Sequence, residues 1–242
     1  MKEIIIGSVH EFHKAVRSQM SVHAVYRGED RATYELLPKM GRLRRINSWN
    51  SLGRECNMLK AFKKRALPFL RERPTNDWEW LAIGQHYGLP TRLFDWTLNP
   101  LVAAYFASVG GRRIDAAIYV IDYYDIGQAD ETVHPFELKE DVLYAPPHLS
   151  TRFTAQHGIF TAHHQPEKSF TPKSLQRWTL KGECLSEIWS TVGMYGISPA
   201  TIFPDLSGLC EELALHWTTD VPTLPPPPVP GSGVRRPDLT VP

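Results

Sequence analysis

The segment Gly84–Ala107, GQHYGLPTRLFDWTLNPLVAAYFA, constrains the fold of this chain more than any other stretch. Upstream of it, Asn76 or Asp77 caps a predicted helix that stops near Gly88. Downstream, Asn99–Pro100 begins another helix, because proline is well tolerated in the first helical turn. The intervening TRLFDWT is short and mixed, which predicts a strand or a tight loop. Polar side chains held between two anchored helices are typical of a binding site, so we interpret the rest of the chain as the frame of this segment.

The length and composition indicate one globular domain with a tail. The 242 residues suffice for a single well-cored domain with additions, and we predict one domain over residues 1–218. From residue 219 onward the sequence is rich in proline and lacks apolar periodicity, which predicts a disordered or polyproline tail. The net charge of +1 gives no overall electrostatic argument for nucleic acid or an acidic membrane as partner.

The cysteines and the apolar runs indicate a cytoplasmic protein. The three cysteines lie far apart without metal-ligand spacing, which favours core thiols in a reducing compartment. The opening MKEIIIGS has too few apolar residues for a signal peptide, and no window approaches the ~20 apolar residues of a membrane span. We therefore expect a cytoplasmic location, no membrane partner and no metal.

The hydrophobic patterns predict an α+β fold in which small mixed or antiparallel sheets are flanked by five or six helices. Residues 31–47 are basic and irregular, and we interpret them as a solvated loop. Residues 126–150 are poorly patterned and predict a long connection. Strands are expected at Lys2–Ile6, 24–26, 91–97, 116–122 and 153–161.

Two further expectations concern exposed and buried side chains. His163 and His164 are adjacent, so they point to opposite faces of a strand and predict a surface pair rather than joint metal ligands. Near the end of the domain, a helix is predicted after Pro204-Asp205. Its expected buried stripe consists of Leu206, Leu209, Cys210 and Leu213.

The chain lacks the local motifs of phosphate-binding loops, dinucleotide folds, nucleophile elbows and zinc proteases. Arg27 or Arg92 can bind a phosphate or carboxylate bidentately, and Gly28 permits a sharp turn or a close ligand approach. Asp95 can accept a hydrogen bond from a ribose hydroxyl, orient His86, or pair with Arg92 in a buried salt bridge. From the spacing alone, a buried Arg92–Asp95 salt bridge and a binding site are equally favoured. The polar residues expected to converge are Arg27, Gln85, His86, Thr91, Arg92, Asp95 and Thr97.

Four stretches carry a family resemblance: YRG at Tyr26–Gly28, the long central segment, and the later AQHGIFT and IFPDLSGL. Together they resemble the FRG domain family of bacterial and phage proteins, from about Tyr26 to Leu213. FRG domains resemble the ADP-ribosyltransferase superfamily in layout. In that superfamily an Arg or His at the end of the first strand contacts NAD. A strand with a Ser/Thr pattern then precedes a helix rich in Ala and Phe, and a Glu on a later strand contacts the nicotinamide ribose.

Carried over to this sequence, the resemblance assigns Arg27 to the first position and Asp95–Thr97, followed by LVAAYFA, to the second. At the third position RFTAQHGIF offers Gln156 instead of Glu. An amide can only hydrogen-bond, whereas a carboxylate also stabilises positive charge and accepts a proton. Three outcomes follow: transfer with another acid such as Asp95 or Asp205, weak NAD hydrolysis, or NAD binding without chemistry. The implied catalytic residues are His86, Asp95 and Gln156, and the implied NAD-binding residues are Arg27, Gly28, Gln85, Thr91, Arg92 and Thr97.

These inferences lead to one main hypothesis and two rivals. The main one is an NAD-using ADP-ribosyltransferase-like enzyme, or an NAD glycohydrolase, acting as a toxin or phage-defence effector. Its partners would be NAD, a protein or nucleic-acid target, and an antitoxin or other partner protein. The first rival is a non-catalytic module that senses a nucleotide or binds nucleic acid through its basic segments. The second, a metal-dependent nuclease using Asp95 and His86, is less favoured because no carboxylate cluster accompanies them.

Overall fold

One mixed β-sheet organises the chain in the computed structural model, which describes residues 1–19, 21–47, 52–70, 72–109, 113–147 and 154–218. Its order is β1-β8-β4-β2-β3-β7-β6-β5, with β1–β8 and β5–β6 parallel and the other neighbours antiparallel. The strands are β1 Lys2–Ile6, β2 Ala24–Glu29, β3 Leu93–Thr97, β4 Ala116–Asp122, β5 Gly127–Gln128, β6 Val142–Tyr144, β7 Gly158–Ala162 and β8 Gln176–Leu180.

Four of the helices, α1, α4, α5 and α7 in the numbering below, begin at a residue whose side chain caps them. Asn76 accepts a hydrogen bond from the Glu79 N–H at 2.9 Å, and Asn99 accepts one from the Leu101 N–H at 2.9 Å. Every helix in the described ranges is too short or too polar to cross a bilayer. The helices are α1 Val9–Ser18, α2 Lys39–Asn47, α3 Leu52–Ala66, α4 Asp77–His86, α5 Pro100–Ser108, α6 Leu185–Met194, α7 Pro199–Ile202 and α8 Leu206–Thr218. Short 3-10 turns lie at Leu67–Phe69, Tyr123–Asp125 and Gly182–Cys184.

The sheet has a seam between β2 and β3. β2 pairs with β4 along its whole length, and β3 does the same with β7. Between β2 and β3, in contrast, Tyr26–Thr97 is the single registered pair. Beyond that pair no further registered pair joins the two strands, so the sheet consists of two halves. A core cluster that includes Val25, Ile121, Phe94 and Ile159 spans both halves.

Two groups of helices cover the same face of the sheet, one over each half. Helices α1, α5 and α6 pack on the first half around Tyr26, Ile118 and Trp178. Helices α3 and α4 pack on the second half around Leu93 and Phe160. The opposite face is covered by side chains from connecting segments. The furrow between α4 and α5 therefore lies directly above the seam.

The α+β class with flanking helices is confirmed, but the expected small sheets are one continuous sheet. The segment 31–47 is not all loop, because α2 begins at Lys39, and the connection 126–150 contains β5 and β6. The α8 stripe is not buried: Leu206 is 78% exposed and Leu209 44%. Hydrophobic periodicity predicted the helix correctly, but the prediction that its apolar face is buried was wrong. The strand expected over 153–161 begins only at Gly158, because residues 154–157 are helical or turn. Residue 153 and the tail 219–242 lie outside the described residues.

Candidate functional site

A cleft of about 380 Å³ opens at the seam, between the C-terminal end of α4 and the flank of α5. This volume lies within the range of small-molecule sites, which is roughly 300–1,000 Å³. Its walls combine aromatic and aliphatic side chains with a few polar groups, as such sites usually do. The apolar lining residues are Tyr26, Trp96, Val102, Phe106 and Phe160.

The cleft brings together most of the residues that the sequence nominated. The exceptions are Thr91 and Arg92, which do not line it. The residues that do line the cleft come from chain segments that are far apart in sequence. The nominated residues that do line the cleft are Arg27, Gly28, Gln85, His86, Asp95, Thr97 and Gln156.

Arg27 lies at the seam and is fixed from three sides. Its Nε donates to Glu29 Oε1 at 2.8 Å, and its Nη2 lies 2.7 Å from the same oxygen. Its Nη1 donates to the Asp95 carbonyl oxygen at 2.8 Å, and its guanidinium stacks 3.8 Å above the Phe94 ring. These contacts leave an N–H group on each of Nη1 and Nη2 to donate to an anionic ligand. The side chain is oriented in advance and retains 16% of its accessible surface.

Asp95 projects into the cleft from the middle of β3, with 56% of its side chain exposed. Its Oδ2 accepts a hydrogen bond from Gln85 Nε2 at 2.7 Å and lies 3.8 Å from Arg27 Nη1. Behind it, Thr91 Oγ1 donates to Gln85 Oε1 at 2.6 Å. Thr91 is therefore corrected from a ligand-binding residue to one that holds Gln85, since it is fully buried. Asp95 is the acidic side chain among the described residues that line the cleft.

Gln156 and Thr97 close the far end of the cleft. Thr97 Oγ1 donates to the Gln156 carbonyl oxygen at 2.7 Å, which ties the start of β7 to the end of β3. The Gln156 side chain donates through Nε2 to the Ile202 carbonyl oxygen at 3.3 Å. The amide carbonyl of Gln156 can accept a hydrogen bond from a ligand hydroxyl, but it carries no charge.

Arg92 is a buried structural residue, and its nomination as a ligand-binding residue is wrong. Only 1% of its side chain is exposed, and it pairs with Glu55, with Nη2 to Oε2 at 2.8 Å and Nε to Oε1 at 3.2 Å. Its Nη1 donates to the carbonyl oxygens of Pro135 and His163 at 3.2 and 3.3 Å. The salt bridge between Arg92 and Asp95 that their spacing suggested does not form. Arg92, just before β3, points into the core, and Asp95, three residues later, points to the opposite face and into the cleft.

Gly28 serves helix packing rather than ligand approach. A β-carbon at this position would overlap the carbonyl oxygen of Ala103 in α5. The absence of a side chain lets α5 lie directly on β2, and that contact forms one wall of the cleft. The sequence suggested a sharp turn or a close ligand approach at Gly28, and the close approach that the structure shows is that of the α5 backbone.

His86, the last residue of α4, lies at the rim of the cleft with its ring edge-on to Tyr87, 4.8 Å between centroids. Lys39 reaches the same rim, where its Nζ donates to the Gly88 carbonyl oxygen at 2.7 Å. Lys39, Glu29 and Phe94 were not among the residues nominated from the sequence. Glu29 was detectable in principle, because residues two apart in a strand share a face.

His163 and His164 are not the surface pair that their adjacency predicted. His163 is buried, and its Nε2 lies 2.9 Å from Thr161 Oγ1 and its Nδ1 3.5 Å from Asp141. His164 contacts the same carboxylate at 2.9 Å. Burial would raise the pKa of Asp141, but the hydrogen bond and charge of His163, with hydrogen bonds from His164, lower it to about 2. Thr161 also accepts from Trp96 Nε1 at 3.0 Å, so this network lies behind the cleft.

Within the described ranges, no group of three or more His, Cys, Asp or Glu side chains is arranged to hold a metal ion. The cleft instead offers an oriented guanidinium, one exposed carboxylate, two amides and aromatic walls. That set can bind a phosphate, stack a planar ring and stabilise a developing positive charge.

Comparison with known proteins gives one match. Residues 22–115 match the model of the FRG domain family. This range contains β2, α4, β3 and α5, which supply most of the cleft. No curated protein and no solved structure matches the chain.

Proposed function

From the match of residues 22–115 to the FRG domain family, we propose that the chain is an NAD-using ADP-ribosyltransferase-like enzyme that modifies a macromolecule. The observation that carries the proposal is the meeting of Arg27, Asp95 and Gln156 at one cleft, where the sheet divides. A toxin or phage-defence effector is the role that the family resemblance implies.

Binding of NAD in this proposal depends on Arg27 and on the aromatic walls. The N–H groups that Glu29 and Asp95 leave on Nη1 and Nη2 of Arg27 donate to the NAD phosphates. Because the guanidinium is already held at its place, little side-chain entropy is lost when the phosphate binds. Tyr26 and Phe160 offer flat surfaces for the planar rings of the dinucleotide.

Asp95 takes the role that the superfamily gives to a Glu. The bond between the nicotinamide nitrogen and the ribose C1 breaks, and its electron pair leaves with nicotinamide. The Asp95 carboxylate stabilises the positive charge on the ribose and then accepts the proton of the attacking nucleophile, which bonds to C1. The Gln85–Thr91 pair holds Asp95 in place, and Gln156 accepts a hydrogen bond from a ribose hydroxyl. His86, at the rim, contacts the ribose or the target.

The test is an NAD turnover assay on purified protein, with and without cell lysate, using NAD labelled in the adenylate part. We expect label transfer to a macromolecule together with nicotinamide release. Asp95→Asn should lower turnover at least 100-fold with nearly unchanged NAD affinity, and Arg27→Ala should weaken NAD binding in calorimetry. Glu187→Gln, an exposed acidic-to-amide change on α6, is the matched control and should retain wild-type turnover.

Each alternative predicts a different result. Nicotinamide release without label transfer assigns NAD hydrolysis, with water as the nucleophile. NAD binding without release assigns a nucleotide-sensing module. If the protein neither binds nor consumes NAD, the proposed function is wrong.

A further inference from the structure

Positive charge is concentrated in one part of this nearly neutral chain. Residues 39–73 contain eleven Lys and Arg against two Glu, whereas the rest of the chain has sixteen basic and twenty-four acidic residues. One of the two glutamates, Glu55, is buried and paired with Arg92. The net charge of +1 therefore conceals a strongly basic segment, and such asymmetry is typical of proteins that bind polyanions.

The exposed face of α3 carries this charge. Lys60, Lys64 and Arg65 are exposed, and in the described ranges none of them pairs with a carboxylate. Lys60 and Lys64 are one turn apart, about 6 Å along the helix axis. Lys63, at the edge of the face, pairs with Asp77. Among the residues that the structure describes, no carboxylate neutralises the charge of Lys60, Lys64 or Arg65.

An exposed aromatic ring follows the row of cations. Phe69 ends the 3-10 turn that continues α3, and it is 86% exposed. Arg65 lies four residues before it. Aromatic rings next to cations are the stacking surfaces of proteins that bind single-stranded nucleic acid, because every base has a face that can stack. A solvated charged helix has no need of such a ring.

We propose that this surface, defined by Lys60, Lys64, Arg65 and Phe69, binds single-stranded nucleic acid, with the cations on the phosphates and Phe69 stacked on a base. A membrane surface fits less well, because a helix that lies in a bilayer needs an exposed apolar face. The apolar face of α3 is buried in the protein. Leu59 and Ala66 belong to the core beneath the second half of the sheet.

The surface adjoins the cleft through α4. Phe62 on α3 packs edge-on against Trp80 of α4, with 6.1 Å between ring centroids. The C-terminal residues of the same α4, Gln85 and His86, line the cleft. A strand bound on α3 would therefore lie one helix away from the cleft. The inference goes beyond the proposed function and does not depend on NAD turnover.

The experiment measures binding of the full chain to fluorescent single-stranded DNA and RNA 20-mers by anisotropy over a salt series. We expect affinity to fall steeply with salt for wild type. The Lys60→Glu/Lys64→Glu double variant should have a log–log salt slope that is smaller by about 1.4 or more, because each phosphate contact on a single strand contributes about 0.7. Phe69→Ala should weaken binding roughly five-fold or more without changing the slope.

Matched controls test whether the effects of the variants come from this surface or from any change of net charge or any loss of an exposed ring. Lys139→Glu/Lys173→Glu makes the same change of net charge at exposed sites elsewhere, and Trp217→Ala removes a ring that is 77% exposed. Both should bind as wild type does. Arg27→Ala should also retain binding, so failure of the proposed NAD chemistry leaves this result unaffected.

Three outcomes would overturn the inference. The first is that the oligonucleotides do not bind at low salt, and the second is that the control variants lose as much affinity as the α3 variants. The third is that the protein binds anionic phosphatidylserine vesicles but not the oligonucleotides, and that the α3 variants lose this vesicle binding. Apart from Arg27, all the substituted side chains are exposed, and an unchanged unfolding midpoint for each variant checks that it is folded.

Discussion

Removal of the Glu55 carboxylate should be one of the most destabilising single changes available in this chain. Glu55→Ala would leave the Arg92 guanidinium inside the protein with its charge uncompensated, since both side chains are 1% exposed. Breaking a buried ion pair from one side costs about 3–5 kcal/mol. We expect the free energy of unfolding to fall by that amount.

The contacts of Arg92 explain why the magnitude should lie in this range. Two of its hydrogen bonds go to Glu55, and its Nη1 still donates to the carbonyl oxygens of Pro135 and His163 after the substitution. The loss is therefore mainly the uncompensated charge and the cavity that the missing side chain leaves. The double change Glu55→Leu/Arg92→Met removes both charges at similar volume. It should cost less than the sum of the two single changes, although the two carbonyls lose a donor.

Urea and thermal unfolding followed by circular dichroism provide the assay. For a domain of this size, 3–5 kcal/mol corresponds to a fall in the midpoint of roughly 6–20 °C. Glu187→Ala, at an exposed position on α6, is the control and should stay within about 0.5 kcal/mol of wild type. A loss below about 1 kcal/mol for Glu55→Ala, the range of a surface pair, would refute the reasoning.

Three other predictions follow from local geometry. Gly28→Ala should lower the free energy of unfolding by at least about 1–3 kcal/mol, because the new β-carbon overlaps the Ala103 carbonyl oxygen; an unchanged urea midpoint would contradict this. The pKa of Asp141 is lowered from 3.8 to about 2, so its ionisation stabilises the fold above pH ~4, and that stabilisation is lost as pH falls to about 2. Asp141→Asn should flatten this acid limb of the stability–pH curve, and a limb of unchanged slope would contradict the assignment. Asn76→Ala should cost ~1 kcal/mol in thermal unfolding by removing the cap of α4, whereas Asn76→Ser, which keeps a capping oxygen, should cost less.

The helix starts around the central segment could be predicted because their causes are local. Asn76 and Asn99 each cap a helix by accepting a hydrogen bond from a backbone N–H two or three residues along the chain. The left-handed backbone of Gly88, with φ of 83°, likewise follows from residue type alone. For features whose cause lies within a few residues along the chain, the sequence-based prediction and the structure agree closely.

Residues whose partners are distant in sequence could not be assigned in this way. Arg92, next to β3, pairs with Glu55 of α3, whereas the spacing in the sequence suggested Asp95 as its salt-bridge partner. His163 is buried because β7 lies inside the sheet, which depends on long-range strand pairing. The exposed stripe of α8 shows the same limit, since periodicity identifies an apolar face but not what covers it.

The polar lining of the cleft was anticipated as a set, while its internal roles were not. Arg27 and Asp95 were nominated, but the support of Arg27 by Glu29 and of Asp95 by Gln85 and Thr91 appears only in three dimensions. Thr91 illustrates the difference, since it was expected to touch a ligand and instead orients the residue that does.

The single Tyr26–Thr97 pair between β2 and β3 has a thermodynamic consequence. A molecule held in the cleft touches both halves of the sheet and so adds a non-covalent link between them, beside the core cluster that they share on the opposite face. Its binding free energy adds to the cohesion of the native state, as RT ln(1 + [L]/Kd). The melting temperature of this protein is therefore a direct reporter of cleft occupancy, and a thermal-shift panel of nucleotides can rank ligands before any reaction is known.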